Sequence, residues 1–111
     1  MIEKKFNIIF TEDGTSHLTI EFSDKKYELL STLFFADSST ICKIALQKNR
    51  DIYENIISDW EATGNVCSIK ITKENTIVCD IFDESVSCNI STLDFKSLLD
   101  DWFYELSKYN K

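Results

Sequence analysis

Apolar residues alternate with polar ones along Phe6-Asn7-Ile8-Ile9-Phe10 and again along Leu18-Thr19-Ile20-Glu21-Phe22, with Asp13-Gly14 between the two runs. Period two on both sides of a turn pair predicts a β-hairpin. A two-residue turn at Asp13-Gly14 would set Phe6, Ile8 and Phe10 on the face opposite Leu18, Ile20 and Phe22. A three-residue loop, Glu12-Asp13-Gly14, pairs Ile8 with Leu18 and Phe6 with Ile20, puts both sets on one core, and gives Gly14 the left-handed position such loops need.

The period then changes. Ser23 or Asp24 can cap a helix whose stripe is Tyr27, Leu30, Leu33 and Phe34. Asp37-Ser38-Ser39 interrupts the pattern, and Thr40–Leu46 fits either a short helix or a strand. Asp51 with Glu54 three residues on resembles a capping box, followed by an apolar face of Ile52, Tyr53, Ile56, Ile57 and Trp60 and a stop at Gly64-Asn65.

Three strands are expected next, pointing Cys67, Ile69 and Ile71, then Ile77, Cys79 and Ile81, then Val86, Cys88 and Ile90 toward a core. A Lys73-Glu74-Asn75 loop sets Ile69 opposite Cys79, and a tight turn at Asp83-Glu84 sets Cys79 opposite Cys88. The closing helix is capped by Ser91 with Asp94 three residues on, stapled by Ile90 and Phe95, and apolar along Phe95, Leu98, Leu99, Trp102, Phe103 and Leu106. The predicted order is ββα(α)αβββα. It describes one α+β domain over 1–111, an antiparallel sheet of about five strands with helices packed on one face.

Composition narrows the class. The 111 residues are 43% hydrophobic and 28% charged, enough for one ordinary core and too apolar for a disordered chain. No window is expected to approach the ~20 apolar residues that span a bilayer, and the start of the chain runs into a strand pattern rather than a signal core. A cytoplasmic location follows as an expectation. The four cysteines, 42, 67, 79 and 88, match no zinc spacing and no CxxC pair, so they are expected to be free thiols acting as small apolar residues, three of them (Cys67, Cys79, Cys88) on the buried face. Cys79 and Cys88 are the one pair whose expected register calls for a check against bridging.

No catalytic constellation emerges. His17 is the sole histidine and lies in the first hairpin, without a nucleophile placed against it. Gly14 and Gly64 lie too far apart for a phosphate loop. Asp80, Asp83 and Glu84, with Asp100 and Asp101 beside them, offer carboxylates but neither the spacing nor the glycine of a calcium loop. Neither an enzyme, a cofactor nor a metal is expected.

Charge carries the remaining information. Residues 1–50 hold seven acids and seven bases, whereas 51–111 hold twelve acids and five bases, so the whole net charge of −7 falls in the second part. Such a field repels nucleic acid and anionic membranes and attracts basic partners. Its simpler reading is a solvated face that keeps the protein in solution. With the expected register, the outward face of the second sheet presents Ser68 and Lys70, then Val78, Asp80 and Phe82, then Ser85, Ser87 and Asn89. Either a helix or Thr40–Leu46 covers it, or it is a partner surface with Asp80 central and Phe82 as an anchor. Asp94, Asp101, Glu105 and Lys108, with Asp100 at the border, line the polar side of the last helix. Together with Asp59, Glu61, Asp83 and Glu84 they can extend an acidic patch.

In overall character, the acidic Asp80…Asp83-Glu84 turn and the closing helix Ser91-Thr92-Leu93-Asp94-Phe95-Lys96-Ser97-Leu98-Leu99-Asp100-Asp101-Trp102-Phe103 resemble bacterial immunity proteins of polymorphic toxin and contact-dependent growth inhibition systems. The resemblance implies a protein that binds a toxin domain, often a basic nuclease, and covers its active site or an adjacent surface; a monomer or small homo-oligomer is expected. The resemblance carries over no residue; the charge distribution and the expected outward sheet face nominate Asp80, Phe82, Asp83, Glu84, Ser87, Asp100, Asp101 and Glu105 for partner binding. Another protein-binding adaptor, or a phage-encoded inhibitor mimicking nucleic-acid charge, is the alternative.

Overall fold

The computed structural model describes residues 2–109. Strands β1 (Lys4–Phe10) and β2 (Ser16–Phe22) form the hairpin, with Phe6 opposite Ile20 and Ile8 opposite Leu18, the register the three-residue loop calls for. Thr11 N–H donates to the Thr15 carbonyl and Gly14 takes φ +86°, the conformation glycine adopts without a Cβ penalty. Leu18 and Ile20 are buried. Ile8 and Phe10 run past the core and are exposed, a departure from the single buried face expected.

The Asp24 carboxyl accepts from Lys26 N–H and opens a turn at Lys25–Tyr27, which leads into α1 (Glu28–Asp37). Leu30, Leu33 and Phe34 are buried, as their spacing predicts. The break expected at Asp37-Ser38-Ser39 does not occur. A π-turn at Ser38–Cys42 carries the chain into α2 (Lys43–Tyr53), so Thr40–Leu46 is helical. Asp37, the last residue before the wide turn, is held from outside the helix. Its buried carboxyl accepts from the N–H groups of Asn65 (2.7 Å), Val66 (3.2 Å) and Cys67 (3.1 Å) and from the Thr40 hydroxyl (3.2 Å).

The continuous helical run Lys25–Tyr53, 29 residues, is long and apolar enough to cross a membrane, contrary to expectation. Seven of its apolar residues, Leu30, Leu33, Phe34, Ile41, Cys42, Ala45 and Ile52, belong to the protein core, whereas Phe35, Ile44 and Tyr53 are exposed.

The third predicted helix is absent. α2 ends in a Schellman motif: Ile56 N–H reaches the Asp51 carbonyl, Asn55 N–H reaches that of Ile52, and Asn55 takes φ 61°. Asp51 therefore closes a helix instead of opening one. Trp60-Glu61-Ala62-Thr63 alternates with period two and forms β3 (Asp59–Thr63), and Gly64-Asn65 turns it into β4 (Cys67–Thr72). β5 (Asn75–Asp80), β6 (Ser87–Ser91) and the closing α3 (Thr92–Tyr109) follow. The fold is mixed α+β, with a two-stranded sheet and an antiparallel four-stranded sheet in the order β3-β4-β5-β6.

All three helices pack on one side of the larger sheet. Phe34 stacks between Phe95 and Trp102 at centroid distances of 6.4 and 5.5 Å, and the Trp102 indole N–H donates to Ser38 Oγ at 2.7 Å. Asp94 N–H donates to Ser91 Oγ at 3.1 Å, the predicted cap.

Candidate functional site

The site follows from one register. β4 and β5 are joined by a two-residue turn, Lys73-Glu74, pinned where Thr72 Oγ1 donates to the Asn75 carbonyl and accepts from Asn75 N–H. Ile69 therefore lies opposite Val78, and Cys79 lies opposite Ser68 and Ser87. The expected pairings of Ile69 with Cys79 and of Cys79 with Cys88 are both displaced by one residue. With a side-chain period of two, one residue of slip sends every β5 side chain to the other face. Thr76 and Val78 are buried. The Thr76 hydroxyl is satisfied by Thr92 Oγ1 at 3.0 Å, which itself donates to the Thr72 carbonyl. Ile77 and Cys79 face away from the helices.

Cross-strand partners share a face, so two rows cross the open side of the sheet: Glu61–Lys70–Ile77–Asn89 and Thr63–Ser68–Cys79–Ser87. Ile81, whose N–H bonds the Val66 carbonyl, continues the ladder by one residue. Ile77 and Ile81 are 38% and 37% exposed. Neither a helix nor Thr40–Leu46 lies over this face among the described residues. Its polar flanks are as expected (Ser68, Lys70, Ser87, Asn89), but its centre is apolar where Val78 and Asp80 were expected.

The β5–β6 turn adds the most exposed apolar group of this end. Asp80 N–H bonds the Val86 carbonyl and Val86 N–H the Asp83 carbonyl. The Asp80 carboxyl accepts Phe82 N–H at 2.8 Å, and that of Asp83 accepts both the N–H (3.1 Å) and hydroxyl (2.6 Å) of Ser85. These Asx turns hold the six residues 81–86 between the two strands, a loop longer than the tight turn expected. Phe82 projects from it at 78% exposure. Asp83 is held below the usual carboxylate range by the Ser85 hydroxyl and N–H, so it stays ionised at neutral pH.

The eight residues named for partner binding fall into separate groups. Phe82, Asp83, Glu84 and Ser87 gather at the β5–β6 end and are exposed. Asp80 is close in sequence but sits on the helix side of the sheet, paired with Cys67, beside Lys25 and Lys26 across a groove of about 330 Å³. The place between Ser68 and Ser87 assigned to it belongs to Cys79. Asp100, Asp101 and Glu105 lie in the helical layer, behind the open face. Each has a lysine: Lys96 (2.8 Å), Lys4 (2.9 Å) and Lys108 (3.3 Å). Ion pairs so exposed contribute little stability, but they lower the free negative charge of that helix.

The four thiols are free. Cys42, Cys67 and Cys88 are buried, whereas Cys79 is half-buried on the open face, which corrects the trio expected inside. Cys79 and Cys88 occupy opposite faces and cannot approach bridging geometry. Burial pushes the Cys67 thiol up to about 12, with Asp37 adding to it, and raises Cys42 and Cys88 by the same cause. These are inert core groups. Among the described residues no group of three or more His, Cys, Asp or Glu is placed to hold a metal ion. His17 packs edge-on to Phe35 at 5.6 Å and lies within 3.4 Å of Thr15 Oγ1.

Compared with protein-family models, with curated proteins and with solved structures, the chain has no match.

Proposed function

We propose that this chain is a protein-binding module, an immunity-type inhibitor that neutralises a basic, nuclease-type toxin domain in the cytoplasm. Its contact surface would be the open face of the four-stranded sheet with the β5–β6 turn. The observation that carries this reading is the partly exposed line Ile77–Cys79–Ile81 beside the projecting Phe82, with carboxylates at its margin: Glu61 on β3, and Asp83 and Glu84 in the turn. An apolar centre with a charged rim is the anatomy of a specific interface. Its apolar residues supply affinity and its acids supply orientation and association rate. Asp80 acts here by shaping the turn that presents Phe82, and Asp100, Asp101 and Glu105 contribute only a distant, lysine-damped field.

The gene's neighbourhood and co-expression test this: a basic toxin domain is expected to be encoded beside it, and the absence of one would count against the reading. The wild type is expected to copurify with that domain and protect against it. Phe82→Ala and Ile77→Asp should weaken the complex at least about tenfold, the effect of losing a central anchor. Asp83→Lys and Glu84→Lys should slow association and flatten its salt dependence. Unchanged binding in all four variants would exclude this face.

A further inference from the structure

The four-stranded sheet ends at β3, whose outer edge pairs with no strand among the described residues. Three backbone bonds settle which of its groups face outward. Gly64 N–H donates to the Cys67 carbonyl at 2.8 Å, Ile81 N–H to that of Val66 at 3.0 Å, and Asp80 N–H to that of Val86 at 3.0 Å. Bonded and unbonded pairs alternate along antiparallel strands. All three bonds fit one phase, in which Ala62–Ile69 and Trp60–Ile71 are the bonded pairs of β3 with β4. Asp59, Glu61 and Thr63 therefore turn their N–H and carbonyl groups away from the sheet, and these groups have no partner among the described residues.

The side chains follow the same alternation. Asp59, Glu61 and Thr63 are exposed on the open face, whereas Trp60 and Ala62 are half-buried on the helix side. The Asp59 carboxyl accepts the Ser58 hydroxyl at 3.0 Å. Lys70 stands opposite Glu61, yet Glu61 forms no ion pair among the described residues. An unpaired edge is a template for one more strand, and here charge selects the occupant. A second β3 pairing across a two-fold axis would set acid against acid, which destabilises a ladder. The β6 edge of another copy would bring Ser87, Asn89 and Ser91, with no opposite charge.

We propose that the β3 edge takes up an extended segment of a partner polypeptide as a fifth strand, with basic side chains at alternate positions beside Asp59 and Glu61. The residues between them are apolar and lie against Trp60 and Ala62. This rests on the reading of the chain as a protein-binding module and names how such a partner is held.

The test is a titration of the full chain with acetyl-Thr-Lys-Val-Lys-Val-Lys-Thr-amide, up to about 5 mM, read in ¹H–¹⁵N spectra and by hydrogen exchange. At a roughly millimolar dissociation constant, exchange at the Asp59, Glu61 and Thr63 amides should slow about five- to sixfold, while Trp60 and Ala62, already bonded to β4, should not change. Glutamate in place of each lysine should abolish binding. Two further peptides carry N-methyl groups on alternate residues, one at the lysines and one at the valines. The one whose methylated groups face β3 should lose binding and the other should keep it. Thr63→Pro deletes an outward N–H without touching a ladder bond or a charge, and should weaken the peptide about fivefold. Glu61→Gln should weaken it about threefold at low salt and less at high salt. The proposal is overturned if the three amides do not respond, if the glutamate peptide binds as well, or if both methylated peptides bind alike. Shifts of these amides with protein concentration, without peptide, would give the edge to a second copy and overturn it too. Should Thr63→Pro not fold, the methylated peptides make the same test from the ligand's side. No toxin domain enters the titration, so a negative result rejects the edge alone, and failure of the Ile77 and Phe82 variants to affect toxin binding leaves it standing.

Discussion

The contact between Asp37 and Gly64 makes the sharpest energetic prediction. The Asp37 carboxyl ties the π-turn between α1 and α2 to the start of β4 through three backbone N–H groups. A Cβ built on Gly64 would meet the carboxyl atoms of Asp37 at 2.7–2.9 Å. Asp37→Ala removes every acceptor. An orphaned buried donor costs about 1–3 kcal/mol. Asn65 is exposed and Val66 half-buried, so both can take water, whereas Cys67 cannot. Exchanging the Asn65 and Val66 bonds for water loses about 1 kcal/mol each, so with the stranded Cys67 N–H the expected loss is about 3–5 kcal/mol, and Asp37→Asn falls nearer 2–4 because its amide sets donors against Val66 and Cys67 N–H. Gly64→Ala alone should cost about 1–3 kcal/mol by driving a methyl against the buried Asp37 carboxyl. The double variant Asp37→Ala/Gly64→Ala should lose less than the two costs together, since the added methyl then has no carboxyl to strike, with a coupling of about 1–2 kcal/mol. Urea unfolding followed by tryptophan fluorescence measures all four states. Additivity within about 0.5 kcal/mol would refute the steric account of Gly64. A near-wild-type midpoint for Asp37→Ala would refute the role of the carboxyl.

Four further outcomes are expected. A thiol reagent on the native protein should modify Cys79 first and leave Cys42, Cys67 and Cys88 for the unfolded state; rapid modification of all four would contradict their burial. The raised thiols make stability fall with alkali: it is fully present below the ordinary thiol value near 9 and is lost as pH climbs toward the Cys67 value of about 12, which a pH series of melting midpoints reads out. Trp102→Ala should cost about 3–5 kcal/mol, because a 2% exposed indole stacked on Phe34 leaves a large cavity, and a normal melting midpoint would show otherwise. Phe82→Ala should change stability by no more than about 0.5 kcal/mol, so any effect on partner binding is a surface effect.

Local chemistry alone makes several elements legible in the sequence. Gly14 selects the three-residue hairpin loop and hence the pairing of Phe6 with Ile20, because a tight turn dictates register over its own short reach. Ser91 and the broad stripe from Phe95 to Trp102 specify α3, and Asp24 marks the entry to the first helical run. Where two readings suit the same residues, long-range contact decides. Ile52, Ile56 and Trp60 keep helical spacing, yet Asn55 in the left-handed region ends the helix and Trp60 pairs opposite Ile71 on β4. Asp37 reads as a breaker in isolation; it continues the helix only because the backbone of residues 65–67 comes round to meet it. The β5 strand shows why the candidate site is only half visible in the sequence. Its two phases, Thr76–Val78–Asp80 and Ile77–Cys79–Ile81, are both compatible with a strand, and the second is the more apolar. A buried hydroxyl partner at Thr92 and a two-residue turn at Lys73-Glu74 set the phase against hydrophobicity, and so place the apolar line on the open face of the sheet. Composition and period choose most of the strands and helices, though not the strand at Trp60 or the helix through Thr40–Leu46. Which face of a strand meets solvent is settled by partners distant in sequence, since a single residue of register reverses it.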